Sequence, residues 1–185
     1  MAKTERNQKI LAQTISLLLN PAVCILLLAL VFILHFKISS GSIALIFSPF
    51  VLPILLYIIL FVHVFKKIDL EFTSRKTRPP ILVIACIGLV VASLFSTELA
   101  PLITPYLERF LLVLIFTTIL TFVWKISFHA IFFTSMVFIL VRIFGNEFLL
   151  LLLLLPPLYW SRMELRKHKL SQLILGSLIC LLIFL

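Results

Sequence analysis

The sequence predicts an all-α fold, a polytopic transmembrane helical bundle of about six to seven membrane helices in one integral membrane domain over residues 1–185. Three observations predict it. Of the 185 residues, 63% are hydrophobic and 12% are charged, where a soluble domain carries about 25% charged residues. Mean hydropathy is +1.26. The apolar residues also come in continuous runs, where a membrane β-barrel strand would alternate. A water-soluble globule, a disordered chain and a disulfide scaffold are excluded. The formal charge of +9 does not make the chain a nucleic-acid binder. Its basic residues sit in short clusters between apolar runs, where membrane-surface and phosphate-binding charges belong.

A helix crosses the hydrocarbon core with about 20 apolar residues, and the chain offers seven such segments. A basic polar segment over 1–15 (Lys3, Arg6, Lys9) precedes the first, Ser16–Phe36, which is too long for a signal-peptide core and reads as a retained span. Ile43–Phe65, Pro80–Ser96, Leu102–Val123 and Phe128–Phe144 follow. Phe148–Trp160 is short and meets Pro156–Pro157 near its end, so a tilted, broken or part-way helix is expected. Leu170–Leu185 is the last. The fifth to seventh segments are near or below the minimum length, so tilt or local thinning is expected. Cys24, Cys86 and Cys180 all lie inside apolar stretches and read as small packed hydrophobes.

If the segments alternate across the bilayer, the links at 66–79, 124–129 and 161–172 emerge on one face. Short connectors (Lys37–Ser42, Thr97–Pro101, Gly145–Glu147) emerge on the other. With the N-terminus, the first face carries 13 of the 16 Lys and Arg residues; Lys37, Arg109 and Arg142 are the remainder. Much of that charge is ordinary membrane-edge charge, as at Lys66, Lys67, Arg166, Lys167 and Lys169. Trp124, Tyr159 and Trp160 border the same face like an aromatic belt. His35 and His63 read as helix-end packing.

His129, His168, Ser127, Arg75, Arg78 and Arg162 are a different set. Guanidinium groups bind phosphate oxygens bidentately, and imidazole is a nucleophile or an acid near neutral pH. No cluster has zinc or carboxylate-metal spacing and no glycine-rich phosphate loop occurs, so neither metal nor cofactor is expected.

These residues resemble a known pattern. The phosphatidic acid phosphatase type 2 superfamily carries K-x6-R-P, then P-S-G-H, then S-R-x5-H-x3-D. Here Arg78-Pro79 matches the end of the first motif, Ser127 and His129 match the second, and Ser161-Arg162 with His168 match the third. Three departures stand out. Glu71 occupies the lysine position of the first motif, and Arg75 is the nearest replacement, with Lys76 or Lys125 as helpers. Phe128 replaces the glycine of the second motif. Gln172 replaces the aspartate that orients the nucleophile; on a helix its amide would reach His168 at i+4, and Glu164, at i−4, is another orienter.

The resemblance implies a metal-independent membrane lipid phosphatase with its site at one membrane interface. It would hydrolyse a phosphomonoester or diphosphate of a polyprenyl or glycerolipid phosphate. His168 would be the nucleophile and His129 the acid and base. Arg75, Arg78, Arg162, Ser127 and Lys125 would hold the phosphate, and membrane lipids would be the other partners. Two alternatives remain: a catalytically silent relative that binds lipid phosphates, and a small transporter or scaffold. A prokaryotic cytoplasmic membrane is the expected location, with the motif face in the cytosol by the positive-inside rule.

Overall fold

A computed structural model describes residues 2–65 and 78–185. Every regular element among them is helical: α1 (Ala2–Leu18), α2 (Pro21–Phe36), α3 (Ser40–Phe65), α4 (Arg78–Leu99), α5 (Thr104–Thr121), α6 (Phe128–Phe144), α7 (Leu155–Glu164) and α8 (Leu170–Phe184). Two 3₁₀ helices, Pro101–Ile103 and Asn146–Leu154, join them. Four helical runs among the described residues are long and apolar enough to cross a membrane: Glu5–Phe36, Ser40–Leu60, Arg78–Leu99 and Pro101–Thr121. Phe128–Phe144 and Leu170–Phe184 are apolar but shorter. The chain groups into two compact units, one of Met1–Leu28 with Lys125–Leu185 and one of Ala29–Trp124.

The N-terminus differs from the sequence reading. From Ala2 onward the segment expected as a polar lead is helix, rich in the good helix formers Ala, Lys, Glu and Gln. Among the described side chains Ala12 and Ser16, four residues apart, are its buried positions, and they share one face. That helix packs against α7. The expected span Ser16–Phe36 lies within the apolar run Glu5–Phe36, with a break between α1 and α2 inside it. Pro21 has no N–H, and a residue before proline avoids helical backbone. Asn20 instead accepts the Ala22 N–H through Oδ1 at 2.9 Å, so the Asn-Pro pair caps α2 at its start.

In the unit Ala29–Trp124, α4 packs on α3 and α5. Two prolines interrupt the ladder of α3, Pro49 and Pro53, and each frees a carbonyl four residues back. The Ser48 hydroxyl donates to one of them, Leu45 O, at 2.9 Å. The other belongs to Pro49, and there Gly88 of α4 lets the two backbones meet: a Cβ on Gly88 would lie 2.7 Å from Phe50 Cα. At the turn into α5, Ser96 and Thr104 share a hydrogen bond of 2.8 Å. Outward-facing leucines (Leu45, Leu52, Leu56, Leu60) cover the exposed side of α3.

In the other unit α6 is the central element. Eleven of its side chains are buried, against α8, α7 and the longer 3₁₀ helix. A helix apolar all round is a core helix. Arg142 closes its far end by donating to the carbonyls of Phe184 and Leu185 at 2.7 and 3.3 Å. The segment expected as a tilted or broken helix is a nine-residue 3₁₀ helix running directly into the ten residues of α7. At about 2.0 Å per residue in 3₁₀ and 1.5 Å in α geometry, the pair extends about 33 Å.

Candidate functional site

The second and third motifs converge in the unit built around α6. Ser127 is the N-cap of α6, in extended backbone (φ −89°, ψ 115°), yet its hydroxyl makes no capping bond. A serine in that position ordinarily accepts an N–H from the first turn. Here Oγ is completely buried and, among the described residues, has no hydrogen-bond partner. The start of α6 is held by close packing. A Cβ on Gly176 of α8 would lie 3.3 Å from both Ser127 O and Ile126 Cγ2, so only glycine seats α8 there without a shift.

His129, on the first turn of α6, is buried. Its Nε2 lies 3.4 Å from the hydroxyl of Ser16 on α1. The same hydroxyl accepts a 2.6 Å hydrogen bond from Nη1 of Arg162, a buried side chain on the last turn of α7. Ser161 beside it is also buried, but its hydroxyl donates to Leu158 O at 2.8 Å within its own helix.

The link from α7 to His168 has a defined geometry. Arg166 N donates to Met163 O at 2.8 Å and Lys167 N to Arg162 O at 3.0 Å, the paired bonds of a Schellman motif. Arg166 takes the left-handed position at φ 53°, which glycine usually occupies. Lys125 braces this link, its Nζ donating to Lys167 O at 2.9 Å. His168 follows, buried. Its Nδ1 lies 3.2 Å from Gln172 Oε1, and Lys169 N donates to that same oxygen at 3.1 Å. A backbone N–H can only donate, so the atom facing it is the amide oxygen. An amide oxygen can only accept, so His168 Nδ1 carries the proton. The ring is thereby held by its Nδ1 proton.

The expected reach of Gln172 thus exists, though not along one helix. His168 precedes α8, and Gln172 sits on its first turn. The same break removes the basis for Glu164 as an orienter: α7 ends at Glu164, its side chain is exposed, and no helix joins it to His168. Tyr159 also departs from the aromatic-belt reading. Its hydroxyl turns inward and donates to Ser177 Oγ at 2.6 Å, next to Thr134 at 3.0 Å from the same oxygen. Trp124 is exposed, as a belt residue would be. Cys24 and Cys180 are buried, and all three cysteines are free thiols.

The residues of the first motif fall in the other unit or outside the described residues. Arg78, the first residue of α4, is buried and belongs to the other unit. Arg75, with Lys76 and Glu71, lies outside the described residues, as does the His63 side chain. Ser16 is the site residue that the sequence did not single out. Among the described residues the buried side chains that are basic or acidic are Arg78, His129, Arg162 and His168, all of them basic. No group of three His, Cys, Asp or Glu side chains comes together among them. Guanidinium, hydroxyl, imidazole and a helix N-terminus form a donor set that suits an anion with several oxygens. No family model, curated protein or solved structure matches the chain.

Proposed function

We propose that the chain is a membrane-embedded lipid phosphatase that works through a phosphohistidine. The observation that carries this reading is the Ser127 hydroxyl, fully buried and without a hydrogen-bond partner at the N-terminus of α6. An unmet buried hydroxyl costs about 1–3 kcal/mol, and a helix N-terminus favours negative charge. A phosphate oxygen answers both.

In the proposed reaction the substrate phosphoryl group lies between Ser127, Arg162 and the two histidines. His168 Nε2 attacks phosphorus as His129 gives a proton to the leaving lipid oxygen, so the P–O bond breaks as the P–N bond forms. His129 then takes a proton from water, whose oxygen attacks phosphorus; phosphate leaves and the His168 lone pair returns. Gln172 holds His168 by its Nδ1 proton throughout, and Arg162 carries the developing charge, which is usually the largest catalytic contribution. Arg75 and Arg78 enter the proposal through the motif resemblance alone. A lipid phosphomonoester or diphosphate, polyprenyl or glycerolipid, is the substrate class. The apolar helices keep its tail in the bilayer while the phosphate stays at the interface. Six to seven membrane crossings and a cytosolic motif face, in a prokaryotic cytoplasmic membrane, complete the proposal; labelling of a cysteine introduced into the 66–79 loop tests the orientation.

The test is phosphate release by purified protein from a panel of polyprenyl phosphates and diphosphates, phosphatidate and phosphatidylglycerol phosphate. Wild-type protein releases phosphate from at least one lipid, and His168→Ala lowers the rate by about 10⁴-fold or more, the scale of losing a nucleophile. Equal rates would refute the reading. One observation favours a second reading. Gln172 is neutral where the resembled family has aspartate, so imidazole gains no carboxylate partner and a phosphoenzyme is less stabilised. Binding of a lipid phosphate with no turnover across the panel would select a silent lipid-phosphate binder.

A further inference from the structure

Hydroxyls on the helices of this protein mostly bond to their own helix. Thr14, Ser93, Thr117, Thr118 and Thr121 each donate to the carbonyl four residues back, at 2.7 to 3.1 Å. This is the usual habit of Ser and Thr on a helix. Ser16 on α1 breaks the habit. Among the described residues its Oγ has two hydrogen-bond partners, Arg162 Nη1 at 2.6 Å and His129 Nε2 at 3.4 Å. It is buried, with 7% of its surface exposed.

The direction of this chain follows from the groups in it. A guanidinium only donates, so Ser16 Oγ accepts from Arg162. The serine has one proton left, and the acceptor within reach is His129 Nε2. That nitrogen must then be unprotonated, with the ring proton on Nδ1. The Arg162 charge polarises the hydroxyl and strengthens its donation, as in any chain of hydrogen bonds in a low-dielectric site.

We infer that Ser16, delivered by the N-terminal helix, is a positioning residue of the proposed site: it links Arg162 to His129 and, before substrate arrives, holds the imidazole by Nε2 as the Nδ1–H tautomer. The inference rests on the phosphatase reading for its kinetic consequence but not for its geometry. In the proposed reaction His129 must first take up the proton that it gives to the leaving oxygen, so the Nδ1–H tautomer is the state of the free protein, and the hydroxyl bridge holds the ring in place until substrate and that proton arrive. The helix α1 is then part of the site.

Two measurements on full-length protein in detergent micelles test this. The first does not depend on activity: ¹⁵N spectra of histidine-labelled protein, with His129→Gln identifying the His129 signals. Wild type gives the signature of an unprotonated, hydrogen-bonded Nε2. Ser16→Ala changes it to a mixture of tautomers, and Ser16→Thr restores it. An unchanged His129 signal in Ser16→Ala, or a protonated Nε2 in wild type, overturns the inference even if no lipid phosphate is ever turned over. The second is kinetic, on whichever lipid phosphate wild type hydrolyses. Ser16→Ala lowers kcat about 10- to 100-fold, in the range of a general-acid–base contribution, with KM within about threefold, and Ser16→Thr recovers most of the rate. A rise in kcat for Ser16→Ala, or a change in KM alone, overturns it, since the hydroxyl would then be a plug or a plain binding group.

Discussion

Each of the two compact units buries a guanidinium, Arg78 in one and Arg162 in the other, but they differ in how their buried hydroxyls are paired. In Ala29–Trp124 the buried hydroxyls of Ser93, Ser96, Thr104, Thr117 and Thr121 are all satisfied by their own helix or by the next one. Three of the four long apolar runs lie in this unit, so it has the character of a conventional membrane bundle. In the unit around α6 the apolar helices are shorter and the interior holds two imidazoles, a guanidinium and a hydroxyl with no partner. Unsatisfied buried polarity is expensive in any protein and more so away from water. Among the described residues the unpaired hydroxyl lies in the unit around α6, the unit in which we propose the site, while the hydroxyls named in the other unit are paired.

Breaking the scaffold should have the largest effect on stability. Gly88 lies against the α3 backbone, and a side chain there meets Phe50 Cα and the Pro49 carbonyl, neither of which can turn aside. Gly88→Leu should force α3 and α4 apart and cost about 3 kcal/mol or more, the upper range of overpacking. The measurement is the thermal midpoint and recovery of folded protein in detergent. Gly176 faces the side chains of Ile126 and Ala130 as well as Ser127 O, at 3.3 to 3.4 Å. Gly176→Ala should therefore be milder, and it should move the start of α6 and lower activity more than stability. Equal losses from the two substitutions would contradict the division of labour.

The sharpest test compares two serines. Ser96→Ala in the scaffold removes a hydroxyl that donates to Ser93 O and pairs with Thr104, and should destabilise by about 1 kcal/mol. Ser127→Ala removes a buried hydroxyl with no partner, so stability should hold or rise by about 1 kcal/mol. If the phosphatase reading is right, the same change should lower kcat by about 100-fold, the scale of one lost oxyanion donor. Denaturation and phosphate release on the two variants decide it. A Ser127→Ala protein that is less stable and equally active would make that hydroxyl structural.

The sequence made some of this legible and hid the rest for physical reasons. Continuous apolar runs gave the helical class and the long runs of α2 to α5, because hydrophobic length is written locally. The Asn20–Pro21 break was equally local, and an apolar count passes over it. The contact of Gln172 with His168 was legible as a distance along the chain but not as geometry: it reaches His168 from the first turn of α8, across a helix start. Ser16 was hidden because nothing in one hydroxyl on a helix tells whether it bonds its own backbone or a side chain more than a hundred residues away. The 3₁₀ geometry of Asn146–Leu154 was hidden as well, since a run of leucines suits either helix and carries no mark of the tighter one.

The smallest expected effect lies at Arg166, and it bears on how the site is held. The Schellman bonds after α7 require a left-handed residue, and an arginine fills that place at φ 53°. A non-glycine residue in this conformation costs about 1 kcal/mol, while Arg166 is exposed and contributes no burial. Arg166→Gly should therefore raise stability by about 0.5 to 1 kcal/mol, read as a rise in thermal midpoint. Activity should change little if the Lys125 bond to Lys167 O and the Gln172 bond to His168 fix the nucleophile without help from the arginine. A large loss of activity with unchanged stability would show that the Arg166 charge, and not its backbone, serves the site, and would move this residue from membrane-edge charge into the phosphate-binding set.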